Sequence, residues 1–183
     1  MAERILVLDG SWGVLIHRKG FSEEEYRGER FRDHARDVRG DPDLLNLTHP
    51  EIVAAIHDDY FAAGADIATT NTFTATRIGQ ADYALEEAAA EMSREGAALA
   101  RRAADAWTER TPEKPRFVAG SLGPLNVTLS LSPKVDDPAY RAVTFDEVRD
   151  AYAEQVAALR ARRRSRTPRR SGRRGSSPSG RSR

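Results

Sequence analysis

Short apolar segments alternate with helical patterns along most of this chain, and that alternation most constrains how it can fold. Three segments have strand character, namely Ile5–Leu8, Asp66–Asn71 and Phe117–Gly120. The first is a continuous apolar run, which is typical of a strand buried on both faces. The order β-α-β-α-β-α predicts an α/β fold with parallel strands. This pattern fits either a (β/α) barrel or an open doubly wound sheet.

The helical segments between the strands have recognisable starts and ends. Capping-box spacing of Ser or Thr with Glu three residues later predicts helix starts at Ser22, Thr48 and Thr144. The second of these helices is expected to end at Gly64. A long helix is expected from about Thr76 to Trp107. One face of the last helix is expected to be lined by Phe145, Val148, Tyr152, Val156 and Leu159.

Each predicted strand ends in small polar residues or is followed directly by them, namely Asp9-Gly10-Ser11, Thr69-Thr70-Asn71 and Ser121. The carboxyl ends of parallel strands meet at one edge, where α/β proteins place their sites. We therefore predict a substrate-binding role for Asp9, Gly10, Asn71 and Thr72. The alternative is that Asn71 and Thr72 satisfy backbone groups in a turn and that Gly10 permits a tight bend. A Gly-x-Gly-x-x-Gly dinucleotide motif does not follow the first strand.

The charge of the chain is divided unevenly. Residues 160–183 contain 11 Arg and no acid, whereas residues 1–159 carry 18 basic and 28 acidic residues. The last 24 residues consist mainly of Arg, Ser, Gly and Pro, so we predict a disordered tail. One interpretation is an arm that binds nucleic acid non-specifically through its phosphates. We favour the other, a shifted reading frame, because the tail begins within a helical pattern without a linker.

Composition excludes several classes of site. The chain has no Cys, which excludes disulfides, a thiolate nucleophile and a zinc site built on Cys. The four His residues, at positions 17, 34, 49 and 57, lie away from the predicted strand ends, so we predict no metal ligand and no catalytic residue. There is no apolar run of about 18 residues and no signal-peptide pattern. We therefore expect no membrane partner and a cytoplasmic location.

Several stretches, in order from about Arg4 to Leu159, resemble the N-terminal homocysteine-binding barrel of cobalamin-dependent methionine synthases. The stretches that carry most of this resemblance are Ile5–Gly10, Arg27-Gly-Glu-Arg-Phe31, Asp43-Leu-Leu-Asn-Leu47, Pro50–His57, Thr70-Asn-Thr-Phe73, Thr111–Gly120, Leu122-Gly-Pro124 and Val143–Glu147. Arg27–Phe31 resembles the cobalamin-dependent branch in particular. The resemblance implies a partial (β/α)₈ TIM barrel of about three β/α units over residues 1–159, followed by the tail 160–183.

The same resemblance implies the chemistry. Members of the family transfer a methyl group to the sulfur of homocysteine. A zinc ion held by three Cys activates that sulfur, and cobalamin carries the methyl group from methyltetrahydrofolate. Asp9 matches the acid that helps hold the substrate's ammonium group, and Trp12 replaces a smaller residue and is expected to crowd the mouth of the pocket.

With no Cys, and with the cobalamin and folate modules absent, we expect this chain alone to bind neither zinc nor cobalamin and to be inactive. One alternative is a half-barrel that assembles with a second chain supplying the missing strands. The other is a nucleic-acid-binding protein that works through its Arg/Ser tail.

Overall fold

The computed structural model describes residues 4–161, and the predictions for the tail beyond Ala161 lie outside these residues. The helices are α1 (Trp12–Lys19), α2 (Glu23–Arg27), α3 (Leu45–Thr48), α4 (Pro50–Ala62), α5 (Arg77–Gln80), α6 (Ala89–Arg110) and α7 (Phe145–Arg160). The strands are β1 (Ile67–Thr69) and β2 (Phe117–Ala119). None of the helices in the described range is long and apolar enough to cross a membrane.

The two strands confirm the predicted parallel arrangement. Ile67 pairs with Phe117 and Thr69 pairs with Ala119, in parallel register. A long crossover through α5 and α6 connects them, as a parallel pair requires. The result is a mixed fold in which α4 and α6 pack together beside β1 and β2.

The prediction that Ile5–Leu8 is a buried strand is wrong. Leu8 forms only an isolated parallel bridge with Ile67, and Val7 accepts hydrogen bonds from the amides of Asp66 and Ile67. All four side chains of the segment are exposed, Ile5 by 89%. Within the described residues the segment pairs with β1 alone, so its side chains lack the covering layers that a central strand has.

Asp66 holds this first segment in place. Its carboxylate accepts hydrogen bonds from the Val7 amide at 2.9 Å and from the Arg4 guanidinium at 2.8 Å. Lys114 lies 3.5 Å from the other carboxylate oxygen. The Arg4 and Val7 hydrogen bonds hold the pKa of Asp66 well below its usual range. The segment is therefore anchored at the edge of β1 although its side chains are exposed.

The long helix predicted from Thr76 to Trp107 is interrupted in the structure. After α5 come two short 3₁₀ turns, and α6 begins only at Ala89. Ala84 lies between the turns with a φ of 55°, a left-handed conformation that cannot continue a helix. The apolar spacing persists across the break because Leu85, Met92 and Leu99 all lie in the same core.

Most of the predicted helix boundaries are confirmed, and one is wrong. The capping boxes of Ser22 with Glu25 and of Thr144 with Glu147 are confirmed, and Gly64 follows α4 with a φ of 109°. The box predicted at Thr48 is wrong. Thr48 is the last residue of α3, where its hydroxyl donates to the Leu44 carbonyl, and α4 begins at Pro50.

Two further features differ from the sequence prediction. Helix α1, which the sequence analysis did not predict, follows Asp9–Ser11 directly. The predicted apolar face of α7 is rotated, because Phe145 is 69% exposed while Ala151, Gln155 and Ala158 are buried. Small side chains let α7 lie close to α6, which leaves larger ones at a cavity of about 1170 Å³. The cavity's apolar lining includes Val118, Leu122, Val156 and Leu159.

Candidate functional site

Asp9 occupies the end of the first segment and is held there by several donors. Its amide donates to the Ile67 carbonyl at 2.9 Å. Its carboxylate accepts from the Thr69 amide at 2.8 Å, the Thr69 hydroxyl at 2.9 Å and the Trp12 indole at 3.2 Å. All of these donors are neutral, and within residues 4–161 Asp9 forms no ion pair. A partly exposed carboxylate fixed in this way is free to attract a cation.

The Trp12 ring turns towards α4. Its centroid lies 4.5 Å from that of His57, in an edge-to-face arrangement. Trp12 is half-buried and therefore joins the Asp9 carboxylate to the buried part of α4. Sequence reasoning treated it only as a bulky residue at the pocket and did not predict this hydrogen bond.

Gly10 is exposed and lies against Tyr60 of α4. A Cβ at Gly10 would come within 3.1 Å of the Tyr60 hydroxyl oxygen, so the absence of a side chain permits this approach. The same hydroxyl donates to the Ser11 carbonyl at 2.9 Å. Burial and the nearby Asp9 raise the pKa of Tyr60 above its ordinary value. Tyr60 thus fixes the turn that follows Asp9.

Asn71 is buried, and its side-chain nitrogen and its backbone carbonyl both form hydrogen bonds. Its amide nitrogen donates to the Pro42 carbonyl at 2.7 Å and to Asn46 Oδ1 at 3.3 Å. Asn46 in turn donates to the Asn71 carbonyl at 2.6 Å. The side chain therefore joins the loop after β1 to the segment before α3. A role for Asn71 in holding substrate stays a prediction.

Thr72 is also fully buried. Its hydroxyl donates to the Ser121 carbonyl at 2.9 Å and lies 2.6 Å from the Thr70 hydroxyl. The Thr72 carbonyl accepts from the Gln155 side chain of α7 at 2.7 Å. Thr72 thereby holds together the ends of β1 and β2 and the middle of α7. Its role in substrate binding likewise stays a prediction.

The structure thus places the four predicted residues at two depths. Asp9 and Gly10 lie on an accessible surface beside Thr69, Trp12 and Tyr60. Asn71 and Thr72 lie beneath the strand ends, where their hydrogen bonds fix the loops. The sequence carried a signal for Asn46, which belongs to the Asp43–Leu47 stretch, but it carried none for Gln155 because a buried Gln has no distinctive spacing.

The residues present do not fit the zinc ion that the resemblance implies. The chain has no Cys, and the described residues contain no group of three His, Cys, Asp or Glu side chains placed to hold a metal. The histidines have separate surroundings. His34 contacts the Tyr83 carbonyl, His49 contacts the Glu25 carbonyl, and His57 is buried beside Trp12.

Comparison with known proteins identifies the class. The homocysteine S-methyltransferase family profile matches residues 6–164. This match covers most of the chain, which therefore belongs to the homocysteine S-methyltransferase family.

Solved structures show the corresponding fold. The homocysteine methyltransferase MmuM from Escherichia coli is similar in its metallated form, with a TM-score of 0.61, 24% identity, and coverage of 86% of this chain and 50% of that one. Its oxidized form gives a TM-score of 0.60, 25% identity, and coverage of 85% and 49%. The chain thus spans about half the length of these structures.

Proposed function

We propose that this chain is the N-terminal part of a homocysteine S-methyltransferase of the methionine synthase type, which transfers a methyl group to the homocysteine sulfur. The observation that carries the proposal is the anchored carboxylate of Asp9, within a chain that belongs to the family. The Arg27–Phe31 stretch, which resembles the cobalamin-dependent branch, supports the finer assignment over other methyl donors.

Asp9 supplies one part of this function, the recognition of the amino-acid end of the substrate. Homocysteine carries an ammonium group, which needs an anionic partner that is not already neutralised. Thr69 and Trp12 orient the Asp9 carboxylate without cancelling its charge, because each donates from a neutral group. Substrate bound in this way would lie on the accessible surface beside Gly10.

The activation of sulfur needs groups that this chain does not carry. A thiol with a pKa of about 8.5 is mostly protonated at neutral pH, and the thiolate is the nucleophile. Zinc bound by Cys would supply that activation in the family, but the chain has no Cys and no set of residues within 4–161 fits the metal. Methyl transfer is therefore a property of a larger assembly, and the 183-residue chain alone is inactive.

The edges of the sheet, which have no pairing partner among residues 4–161, support a partial (β/α)₈ barrel. The strand order is the Ile5–Leu8 segment, then β1, then β2, all parallel. Exposed apolar side chains occur at both sides of this set, in Ile5–Leu8 and at Phe117 and Leu122. Further strands that cover these residues, from the same protein or from a second chain, would complete the barrel.

Co-expression with a chain that carries the later part of the family fold tests this function. We expect a complex that binds zinc and forms methionine from homocysteine when methylcobalamin is added. Within that complex, Asp9→Asn is expected to lower kcat/KM at least about tenfold, a loss of about 1.4 kcal/mol of transition-state binding.

Asp59→Asn is the matched control, because Asp59 is an exposed carboxylate on α4. We expect it to leave kcat/KM within about twofold of the unsubstituted complex. Absence of a complex, or equal activity of the two variants, would contradict the proposed function.

A further inference from the structure

Two carboxylates are fully buried where the chain enters α3. Asp41 and Asp43 flank Pro42, and both are 0% exposed. Oδ1 of Asp41 accepts hydrogen bonds from the Asp43 amide and from Gln80 Nε2, each at 3.2 Å. Oδ2 of Asp43 accepts from the amide and the hydroxyl of Thr74, at 2.6 and 2.7 Å. The two acids thus join three separate parts of the chain.

The other oxygens of this cluster have no donor. Asp41 Oδ2, Asp43 Oδ1 and Gln80 Oε1 are buried without a hydrogen-bond partner among the described residues. Across residues 4–161, no Arg, Lys or His side chain forms an ion pair with either carboxylate. Two adjacent buried negative charges without a counter-ion are strongly unfavourable, and one shared proton relieves both the charge and the missing donor.

We propose that Asp41 and Asp43 hold one proton between them, and that this proton locks the segment Asp41–Asn46 to the loop that follows β1. The proton removes one of the two negative charges and supplies one O–H donor among the three buried oxygens that have no hydrogen-bond partner in the described residues. The inference does not depend on the proposed methyltransferase function.

The surroundings of the pair agree with this assignment. Tyr26 of α2 and Tyr83 of the 3₁₀ turn after α5 face the pair, and burial together with Asp41 raises the pKa of each. Desolvation, followed by the charge of Asp43, raises the pKa of Asp41 to about 7. Burial raises the pKa of Asp43 as well. The charged residues Arg39 and Asp82 are exposed, and they act on Tyr26 and Tyr83 respectively.

The lock acts on the loop that carries two predicted site residues. Thr74 is held by Asp43, and Asn71 donates to the Pro42 carbonyl between the two acids. When the shared proton leaves, two adjacent charges remain in a buried position, and the least costly relief is separation of the two segments. Asp41 and Asp43 are therefore positioning residues, whose effect on Asn71 and Thr72 depends on pH.

Carbon-13 NMR of aspartate carboxyls in the full chain, followed from pH 4 to 9, tests the proposal. We expect one buried carboxyl to titrate near neutrality, with faster amide exchange at Thr74 once it has ionised. Because the unfolded acid already ionises near its ordinary pKa of 3.8, the folded state binds the extra proton. The unfolding equilibrium constant should then rise about tenfold per pH unit up to about pH 7, relative to a variant without the pair.

The double substitution Asp41→Asn, Asp43→Asn removes both ionisable groups while keeping the shapes of the side chains. It should abolish the neutral titration, whereas Asp59→Asn, at an exposed position, should leave it unchanged. If the variant does not fold, the carboxyl titration of the unsubstituted chain decides alone. Titration of every aspartate below pH 5 would overturn the proposal. A folded state that requires sodium, potassium or calcium at constant ionic strength would also overturn it, since a bound cation would then replace the proton.

Discussion

Replacing His57 with Phe is expected to remove an acid-induced loss of stability that reaches about 3 kcal/mol at pH 4. His57 is 0% exposed, and neither ring nitrogen has a hydrogen-bond partner among the described residues. Burial lowers the pKa of His57 from 6.5 to about 4. Charging this ring inside the fold would leave an imidazolium with no acceptor beside the Trp12 ring.

The direction follows from proton binding. Between pH 6.5 and 4 the unfolded chain binds a proton at His57 and the folded chain does not, so the free energy of unfolding falls as the pH is lowered. Above pH 6.5 the residue is neutral in both states and has no effect on the slope. Phe keeps a ring against Trp12 and cannot be protonated.

The measurement is urea unfolding from pH 4 to 8, compared as differences between variants. The Asp41 and Asp43 pair has the opposite slope over much of this range, so the two effects largely cancel in the unsubstituted chain. A variant with both Asp41→Asn and Asp43→Asn therefore provides the appropriate background for the comparison. For His17→Phe, at an exposed position on α1, the plot of the free energy of unfolding against pH should run parallel to that of the background. Parallel curves for His57→Phe as well would contradict the assignment of a buried, neutral imidazole.

The second large effect is expected at Gly96, in the middle of α6. Glycine is a poor helix former, and replacement with Ala normally stabilises a helix by about 1 kcal/mol. Here a Cβ would lie 2.7 Å from the Asn46 amide nitrogen and 2.8 Å from a Thr72 methyl carbon. These buried side chains hold the loops after β1 and before α3, so they cannot withdraw without breaking their hydrogen bonds.

We therefore expect Gly96→Ala to lower the free energy of unfolding by about 2 kcal/mol. Gly13→Ala is the matched control, because Gly13 also lies in a helix and a Cβ there would meet nothing within 4 Å. The free energy of unfolding of that variant should rise by up to about 1 kcal/mol. Thermal or urea unfolding measures the stability of the two variants. An increase in stability at both glycines would show that α6 does not approach the site loops so closely.

His57 and Gly96 illustrate how far the sequence could predict the structure. Helical spacing correctly predicted the core residues Met92 and Leu99, and capping boxes correctly predicted the starts of α2 and α7. Local patterns determine both features. The close approach at Gly96 and the burial of His57 depend on which helices pack together, which no local pattern records.

The largest errors in the sequence prediction have physical causes. Ile5–Leu8 has the composition of a central strand, but burial requires neighbours on both sides and the described residues provide only β1. The hydrophobic spacing of the predicted long helix continues past residue 84, but the helical backbone does not, because Ala84 adopts a left-handed conformation. The place of Asp9 after an apolar run suggests a site role, which stays a prediction, whereas its hydrogen bonds with Thr69 and Trp12 could not be predicted from the sequence.

We propose that this chain binds the amino-acid end of homocysteine but lacks the residues that would activate its sulfur. The most direct test is elemental analysis of zinc in the purified 183-residue chain, combined with a methionine-formation assay containing homocysteine and methylcobalamin. We predict far less than one zinc per chain and no methionine above background. Tightly held, stoichiometric zinc together with turnover would contradict the claim.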